Sequence, residues 1–586
     1  MKTDYINPDT IHSLHELLQA RVLKSPESVA YQYFSNTLNS WQAITWQTVY
    51  EKTCAWANAI ANEKLQAGDR VAILIKNSLE WVLFEQASYA NQLVVVPLYT
   101  DDRAENIAYI LRDADVKLLL VDGNKHLQRL STVSGQLDTL NTIVSLENDT
   151  GDYFQNKVIS CKQWLDQAVI EIPHSLLDRH KLASIVYTSG TTGKPKGVML
   201  SHDNIMQDAW SGVHSIDVYP ADHFLSFLPI SHMLERTVGY YIPMMSGASV
   251  SFSRSITELA QDMISQNPSV MITVPRIFER VYNKIDEALA QKTEIIQTLF
   301  HYSIDIAWKH FQYKQKKSSW QLPFLLLPLF DQLFHKKIRE KFGQRFRFAI
   351  SGGAALDFTI ARFFIALGIN IAQGYGLTEF SPVISVNRLD DNDPKSVGEP
   401  LPGVSVGIGE NGELLVKGKS IMQGYWNNEQ ATGEIIDENG WLHTGDKASI
   451  IDGKITITGR IKDIIVLSTG EKIPPCEVEQ SIMQDPLFEN VVVVGESRPY
   501  LSALVIPNNE LANKLINGTQ NLNDELLKHI KIKMSAFPGY ARIHKVSICK
   551  EPWTIENGML TPTLKPRRQF IIEQYHQKID EMYSRH

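Results

Sequence analysis

The 586-residue chain is poor in cysteine and has no long apolar run. Its four cysteines, Cys54, Cys161, Cys476 and Cys549, stand far apart. That spacing excludes a disulfide framework and a thiolate metal site, and it fits a reducing compartment. No stretch approaches the ~20 apolar residues of a spanning helix. The N-terminal MKTDYINPDTIHSLHELL is broken by polar residues and does not read as a secretory signal. An excess of positive charge is missing too: 57 basic against 65 acidic residues leave a net charge of -8, which gives no electrostatic reason to expect nucleic-acid binding. Sequence repeats and low-complexity tracts are also absent. What is there, 44% hydrophobic and 21% charged residues, is the profile of a globular protein long enough for two or more domains. The expected location is the cytoplasm, with peripheral contact at the inner face of a membrane as the one membrane role left open.

The most informative stretch is Tyr187 to His202, YTSGTTGKPKGVMLSH. An apolar run, Ala183 to Tyr187, reads as a buried strand leading into a loop suited to phosphate. Gly190, Gly193 and Gly197 let the backbone turn and present N–H groups. Thr188, Ser189, Thr191 and Thr192 add hydroxyls, and Lys194 and Lys196 add charge around Pro195. The loop is not a P-loop of the Walker kind, because Gly193-Lys194 is followed by Pro195 where that motif needs Ser or Thr for magnesium.

Apolar strands alternate with helices from Arg70 onward: Val71 to Ile75, Leu93 to Pro97 and Val116 to Val121 as strands, Ser78 to Tyr89 and Ala104 to Arg112 as helices. This rhythm predicts parallel sheet covered on both faces. It returns at Ser269 to Val274 and Phe346 to Ile350. Two further loops follow predicted strand ends, where phosphates usually sit. One is SGGAALD, Ser351 to Asp357, with Gly352 and Gly353. The other is QGYGLTE, with Gln373, Gly374, Tyr375, Gly376, Thr378 and Glu379. Tyr375 offers a flat face for a purine, Thr378 a hydroxyl, and Glu379 a hard oxygen ligand for Mg²⁺. After Ser396 to Gly403 the texture turns antiparallel, with short strands at Glu413 to Lys417 and Lys454 to Thr458. Within it lies GWLHTGD, whose Asp446 can accept hydrogen bonds from both hydroxyls of a ribose.

SGTTGKPKG, YGLTE, GWLHTGD and GRIKD, in this order, resemble the adenylate-forming superfamily, which holds acyl-CoA synthetases, peptide-synthetase adenylation domains and luciferases. The stretches FLPISHMLERTVGYY and VPRIFERV resemble its long-chain fatty acid–CoA ligase branch. The resemblance implies roles residue by residue. The 188–197 loop would hold the β- and γ-phosphates of ATP, Tyr375 would flank adenine, Thr378 would meet the α-phosphate and Glu379 would hold Mg²⁺. Asp446 and Arg460 would bind the ribose, and His232 would lie near the acyl group. Lys462 would be the hinge of a mobile C-terminal domain carrying a catalytic Lys565. The chain departs from the wider pattern at that last point, where Thr563-Leu564-Lys565 stands in place of the usual Gly before the Lys.

The fold so implied is α/β. A large N-terminal AMP-binding domain, residues 1–459, would hold doubly wound sheets and a small antiparallel barrel-like subdomain. A smaller mobile α+β domain would occupy residues 460–586. The implied activity is ATP-dependent ligation of a long-chain fatty acid to coenzyme A through an acyl-adenylate. Transfer to a carrier protein or another acceptor is the alternative. One apolar segment stays open between two readings. Trp320 to Phe334, WQLPFLLLPLFDQLF, is flanked by Lys314, Lys316, Lys317, Lys336, Lys337, Arg339 and Lys341. It reads either as core lining an acyl tunnel or as an interfacial membrane anchor.

Overall fold

The computed structural model describes residues 2–148, 151, 153–154, 157–166, 178–188, 194–515, 522–535, 537–561 and 563–584. Ser189, Gly190, Thr191, Thr192 and Gly193, the centre of the expected phosphate loop, lie outside the described residues.

Two large sheets form the bulk of the chain. The first runs, edge to edge, Gly424–Tyr425, Lys196–Ser201, Leu182–Thr188, Val94–Pro97, Arg70–Leu74, Val116–Val121, Thr142–Ser145 and Val158–Ser160. From Leu182–Thr188 to Val158–Ser160 neighbouring strands are parallel, whereas Lys196–Ser201 pairs antiparallel with Leu182–Thr188. Val71 to Leu74 and Val94 to Pro97 are buried at every position, as expected of parallel strands covered on both faces. The covering helices begin where the sequence gives caps. Ser78 accepts from the Trp81 N–H at the start of Leu79–Ala90, and Ser201 and Asn204 form a reciprocal capping box at the start of His202–Val213.

The second sheet runs Glu399–Pro400, Val383–Val386, Ile371–Gly376, Phe348–Ser351, Val270–Thr273, His223–Ser226, Ser249–Phe252, Val29–Ser35 and Ser40–Thr45. Its middle is parallel and its edges antiparallel. One continuous apolar core, with Trp46, Trp81, Phe84, Tyr240 and Phe224 among its largest members, spans the space between the two sheets. Burial of this kind stabilises by ~25 cal/mol per Å² of apolar surface, and it fixes the carboxyl ends of both sheets relative to each other.

A four-stranded antiparallel sheet, Ser405–Ile408, Glu413–Lys417, Leu442–Ile451 and Lys454–Arg460, closes over a small core containing Phe380, Leu414, Val416, Leu442 and Ile455. The remaining chain builds a three-stranded sheet, Phe488–Val494, Leu501–Pro507 and Ile543–Ile548, packed by the helices Pro475–Met483 and Leu522–Lys533 on one face and His576–Tyr583 on the other. This smaller unit has its own apolar cores. Among the described residues, its hydrogen bonds to the larger part include three solvent-exposed ones: Arg276 donates to Glu489 O, Gln480 to Ala355 O, and Gln484 to Asp357 Oδ2.

The segment Trp320 to Phe334 is neither one helix nor a buried strand. It folds as a short 3₁₀ turn, Leu322–Leu326, a helical turn, Leu327–Phe330, and a π-type turn, Asp331–His335. Pro323 and Pro328 explain the interruptions. Phe324 and Phe330 face inward against Ile306 of the helix Glu294–Lys314, while Trp320, Leu322, Leu325, Leu326, Leu329 and Leu333 face solvent. No helix among the described residues is long and apolar enough to cross a membrane.

Candidate active site

The cleft forms where the carboxyl ends of the two sheets meet the antiparallel sheet and the C-terminal unit. Thr188 ends the strand Leu182–Thr188, and its register partner Lys196 starts the next strand, so the two ends of the expected phosphate loop are held side by side. Gly197 does not turn the backbone there. It sits within the strand Lys196–Ser201, where a side chain would collide with Ile185, Tyr187 and Trp426. Lys194 lies over the ring of Tyr109, with Nζ 5.2 Å from its centroid, and Lys196 lies over Tyr425 at 4.9 Å.

Tyr425 was not legible as a site residue, yet it links two of those expected, Lys196 and Glu379. The segment Gln423 to Trp426 pairs with Lys196–Ser201 as a short edge strand, which sets Tyr425 beside Lys196. Its hydroxyl donates to Glu379 Oε1 at 2.8 Å. Burial, then the Glu379 carboxylate, holds the phenol well above its ordinary range. Glu379 Oε2 has no hydrogen bond among the described residues, where no group of three or more His, Cys, Asp or Glu side chains could hold a metal. A single carboxylate with one oxygen free fits Mg²⁺, which is commonly held by one or two carboxylates together with substrate phosphates and water.

Glu379 belongs to the turn Thr378–Phe380, directly after the strand Ile371–Gly376. Gly376 is required by close approach: a Cβ there would lie 1.9 Å from Pro382 O. Gln373 is buried, and its amide is engaged at both ends, accepting from Leu356 N–H and donating to Pro394 O. Its side chain thus positions the 351–357 turn, and does not face the cleft. In that turn Gly353 has a φ of 79°, which favours glycine, and Gly352 packs on Leu234, two residues past His232. Gly374 lies in the strand opposite Val386.

Tyr375 donates its hydroxyl to Asp446 Oδ2 at 2.6 Å, and Arg460 Nε donates to Asp446 Oδ1 at 3.0 Å. Strand pairing opposes Asp446 to Arg460 directly. Burial works against the Arg460 charge, but Asp446, then Tyr375, Asp463 and Glu379, hold its pKa above the ordinary value. Asp446 itself is buried. A carboxylate has about four acceptor positions, so two remain for a ligand. Lys462 is exposed in the single turn Ile461–Asp463 that follows.

His232 is held neutral: burial, then the charge of Lys565, pushes its pKa down to about 4. Its Nδ1 accepts from the Leu234 N–H at 3.2 Å, which leaves the other nitrogen as donor. The seven-residue π-helical segment Glu235–Tyr241 follows. Arg236 anchors it in the core, donating to Glu85 Oε1, Ser184 Oγ and Tyr89 Oη.

Lys565 stands in the solvent-lined cleft although it comes from near the end of the chain. Its pKa is lowered by burial and then by Arg460, and Asp446 and Cys476 oppose the shift. Lys565, Arg460, Asp446 and His232 therefore share one electrostatic neighbourhood. The preceding residue, Leu564, has a φ of 60°. This chain thus keeps the left-handed backbone that a glycine would supply at that point, and tolerates a side chain in it.

Residues 18–426 match the family described as AMP-binding enzyme, and residues 462–586 match the AMP-binding enzyme C-terminal domain. A long-chain-fatty-acid–CoA ligase of Mycobacterium tuberculosis is 30% identical over 583 residues, covering 96% of this chain and 95% of its own length. A chloroplastic long-chain-fatty-acid–[acyl-carrier-protein] ligase of Arabidopsis thaliana is 28% identical over 604 residues, covering 92% and 83%. Among solved structures, the o-succinylbenzoate CoA synthetase of Bacillus subtilis with its acyl-adenylate intermediate matches with a TM-score of 0.71 at 20% identity, covering 95% of this chain and 97% of that one. That last likeness is one of fold.

Proposed function

The chain belongs to the AMP-binding enzyme family, whose acyl-CoA ligases use ATP, Mg²⁺ and coenzyme A, and from that premise we propose that it ligates a long-chain fatty acid to coenzyme A. The observation that carries the reading is the convergence of Lys565 with Arg460, Asp446 and His232 at one cleft, from parts of the chain more than 300 residues apart in sequence.

A carboxylate is a poor acyl donor because oxide would have to leave. Attack of a carboxylate oxygen on the α-phosphorus of ATP forms the mixed anhydride, breaks the bond to the β-phosphate and releases pyrophosphate. The coenzyme A thiol then attacks the acyl carbon, loses its proton and expels AMP. Catalysis falls to positioning and charge neutralisation. Asp446 and Arg460 would fix the ribose, with Tyr375 flanking the adenine. Thr378 would meet the α-phosphate, and the 188–197 loop with Lys194 and Lys196 the outer phosphates. Glu379 would hold Mg²⁺, which supplies neutralisation of phosphate charge. Gly352, Gly353, Gly374 and Gly376 would keep the strand ends low enough for the nucleotide to approach. His232, neutral and with one N–H free, would orient the acyl carboxylate. Lys565 would meet the charge that builds as two anions approach.

We place the boundary between the fixed and moving parts at residues 459 and 460, with Lys462 as hinge. The polar, exposed links across it are of a kind that a rotation breaks at little cost. The solvent-facing leucines of Trp320 to Phe334, set among lysines, would dock on an anionic membrane surface from which long-chain acids partition. A second reading, transfer to acyl carrier protein, is favoured by the Arabidopsis relative. Assaying AMP formation across C2 to C20 acids, with free coenzyme A or with phosphopantetheinylated carrier protein, decides chain length and acceptor together. No AMP from any acid would refute the ligase reading.

A further inference from the structure

Lys565 lies at the tip of a tight hairpin. Below it, Arg567 N–H donates to Met559 O at 2.8 Å, and Leu560 faces Pro566 in an antiparallel bridge. Thr561 N–H then donates to Lys565 O at 2.9 Å. Three residues separate Thr561 from Lys565. A hairpin connection of that length commonly ends on a residue in the left-handed region, where glycine is favoured. Here that residue is Leu564, with a φ of 60°. A Cβ disfavours the conformation, so something must hold it.

The Leu564 side chain is a weak restraint, since it is 47% exposed. The stronger one is Thr561. Its carbonyl accepts from the Leu564 N–H at 2.8 Å, and its Oγ1 accepts from the Lys565 N–H at 3.1 Å. These two peptides flank the Leu564 Cα, so a single residue fixes the backbone on both sides of the left-handed turn. Thr563 Oγ1 shares a further hydrogen bond with Thr561 Oγ1 at 2.9 Å. The base of the hairpin is anchored separately. Arg568 donates to Val493 O at 2.8 Å and pairs with Glu479, which also accepts from the Val493 N–H. The Thr561 hydroxyl therefore acts on the tip and not on how the hairpin is seated.

We propose that the Thr561 hydroxyl is the positioning group for Lys565: it holds Leu564 left-handed and so sets the direction in which the lysine leaves the backbone. The proposal rests on the ligase reading for what Lys565 does, and on the hairpin alone for how the lysine is held. The carbonyl contact survives any substitution at position 561, whereas the hydroxyl contact does not. Without the hydroxyl the Lys565 peptide is free to turn, and Leu564 can relax to negative φ. A glycine at position 564 would need no such hold, because it takes positive φ at no steric cost. The hydroxyl and the identity of residue 564 are thereby coupled, which a merely structural threonine would not show.

The test is the kinetics of acid-dependent pyrophosphate release by the full chain, with ATP, Mg²⁺ and the acid of the C2 to C20 panel that yields most AMP. Thr561→Val removes the hydroxyl and keeps the shape. It should lower kcat by ~3- to 10-fold, the value of one hydrogen bond, and leave KM for ATP near the parent value. Thr561→Ser should restore most of the rate. Thioester formation from supplied acyl-adenylate and coenzyme A should be unaffected. In a Leu564→Gly background the same Thr561→Val change should cost less than about twofold. Thermal melts matching the parent show that the variants fold, and Thr561→Ala replaces Thr561→Val if that variant melts early. An unchanged kcat in Thr561→Val overturns the proposal, as does an equal loss whether or not residue 564 is changed, or an equal fall in both half-reactions. Lys565→Ala is run beside them. If it loses pyrophosphate release and Thr561→Val does not, the proposal falls and the ligase reading stands. If Lys565→Ala keeps the parent rate, the role assigned to the lysine falls, and the proposal with it.

Discussion

Removing the Asp446 carboxylate tests the nucleotide site where its geometry is best defined. Two donors already converge on it, the Tyr375 hydroxyl at 2.6 Å and Arg460 Nε at 3.0 Å, and two acceptor positions remain for the ribose hydroxyls. Hydrogen bonds to a charged group are worth ~1.5–3 kcal/mol each, and every 1.4 kcal/mol is tenfold in Kd. Asp446→Ala would lose both proposed ribose contacts and also free Tyr375 and Arg460 from their set positions, so Kd for AMP should rise by ~100-fold. Asp446→Asn keeps one acceptor oxygen and loses the charge, and a rise of ~10-fold is expected. Tyr375→Phe removes only the phenol contact and keeps the ring, so its effect should be the smallest of the three. Calorimetry with AMP gives the ranking directly, and titration with the fatty acid should show no comparable change. Equal AMP affinity in Asp446→Ala and the parent would refute the assignment. A larger loss in Tyr375→Phe than in Asp446→Asn would show that the phenol contact, not the charge of the carboxylate, sets the affinity.

Three further outcomes follow from the same geometry. Glu379→Gln should lower the rate of pyrophosphate release and raise the Mg²⁺ concentration needed for half-maximal rate, because an amide is a poorer ligand for a hard cation; an unchanged Mg²⁺ titration removes Glu379 from the metal site. Replacing the exposed Leu322, Leu325 and Leu329 with Ser, while leaving the buried Phe324 alone, should reduce co-sedimentation with anionic vesicles and spare activity on medium-chain acids in solution; failure of the parent to bind vesicles ends the membrane reading. Glu235 is buried, and burial, only partly offset by Ser226, pushes its pKa up to about 8. The folded state therefore keeps a proton that the unfolded state releases above its ordinary value near 4.5, so the stability this group contributes at low pH is lost as pH rises toward 8, by up to ~1.4 kcal/mol per pH unit. The Tm of Glu235→Gln relative to the parent should accordingly be higher at pH 8 than at pH 5, and a pH-independent difference would contradict the buried protonated acid.

The sequence was most readable where one local rule decided the outcome. The strand Val116–Val121 and the strand Glu413–Lys417 fall at the residues their patterns predicted, since burial on both faces and tight antiparallel alternation each leave a clear signature. The site residues Glu379, Asp446, Arg460 and Lys565 were legible as motifs, but their mutual contacts were not. No pattern in the sequence reveals that Tyr375 would bond to Asp446, or that Tyr425 would bridge Lys196 and Glu379, because these contacts join separate elements through tertiary packing. Gly197 was misread as a turn residue for the same reason: its need for glycine comes from the neighbouring strand, at Ile185 and Tyr187, and from Trp426, more than 200 residues away. Leu564 shows the opposite case. The missing glycine looked like a departure in chemistry, whereas the backbone keeps the glycine-like conformation and only the side chain differs. In Trp320 to Phe334 neither a uniform core nor a uniform surface describes the segment. Phe324 and Phe330 are core, Leu327 packs half-buried against them, and Leu322, Leu325, Leu326, Leu329 and Leu333 are surface.

The central claim is that Lys565 acts in the first half-reaction and is carried away before the second. Here it lies within electrostatic reach of Arg460, Asp446 and His232, an arrangement suited to meeting charge between an acyl carboxylate and an α-phosphate. Loss of such a preorganised charge costs ~2.7–4 kcal/mol, or ~10²–10³ in rate. The decisive measurement is therefore the two half-reactions of Lys565→Ala run separately: acid-dependent pyrophosphate release from ATP, and thioester formation from chemically supplied acyl-adenylate and coenzyme A. The account predicts that the first falls by ~10²–10³ while the second stays near the parent rate; an equal fall in both would contradict it.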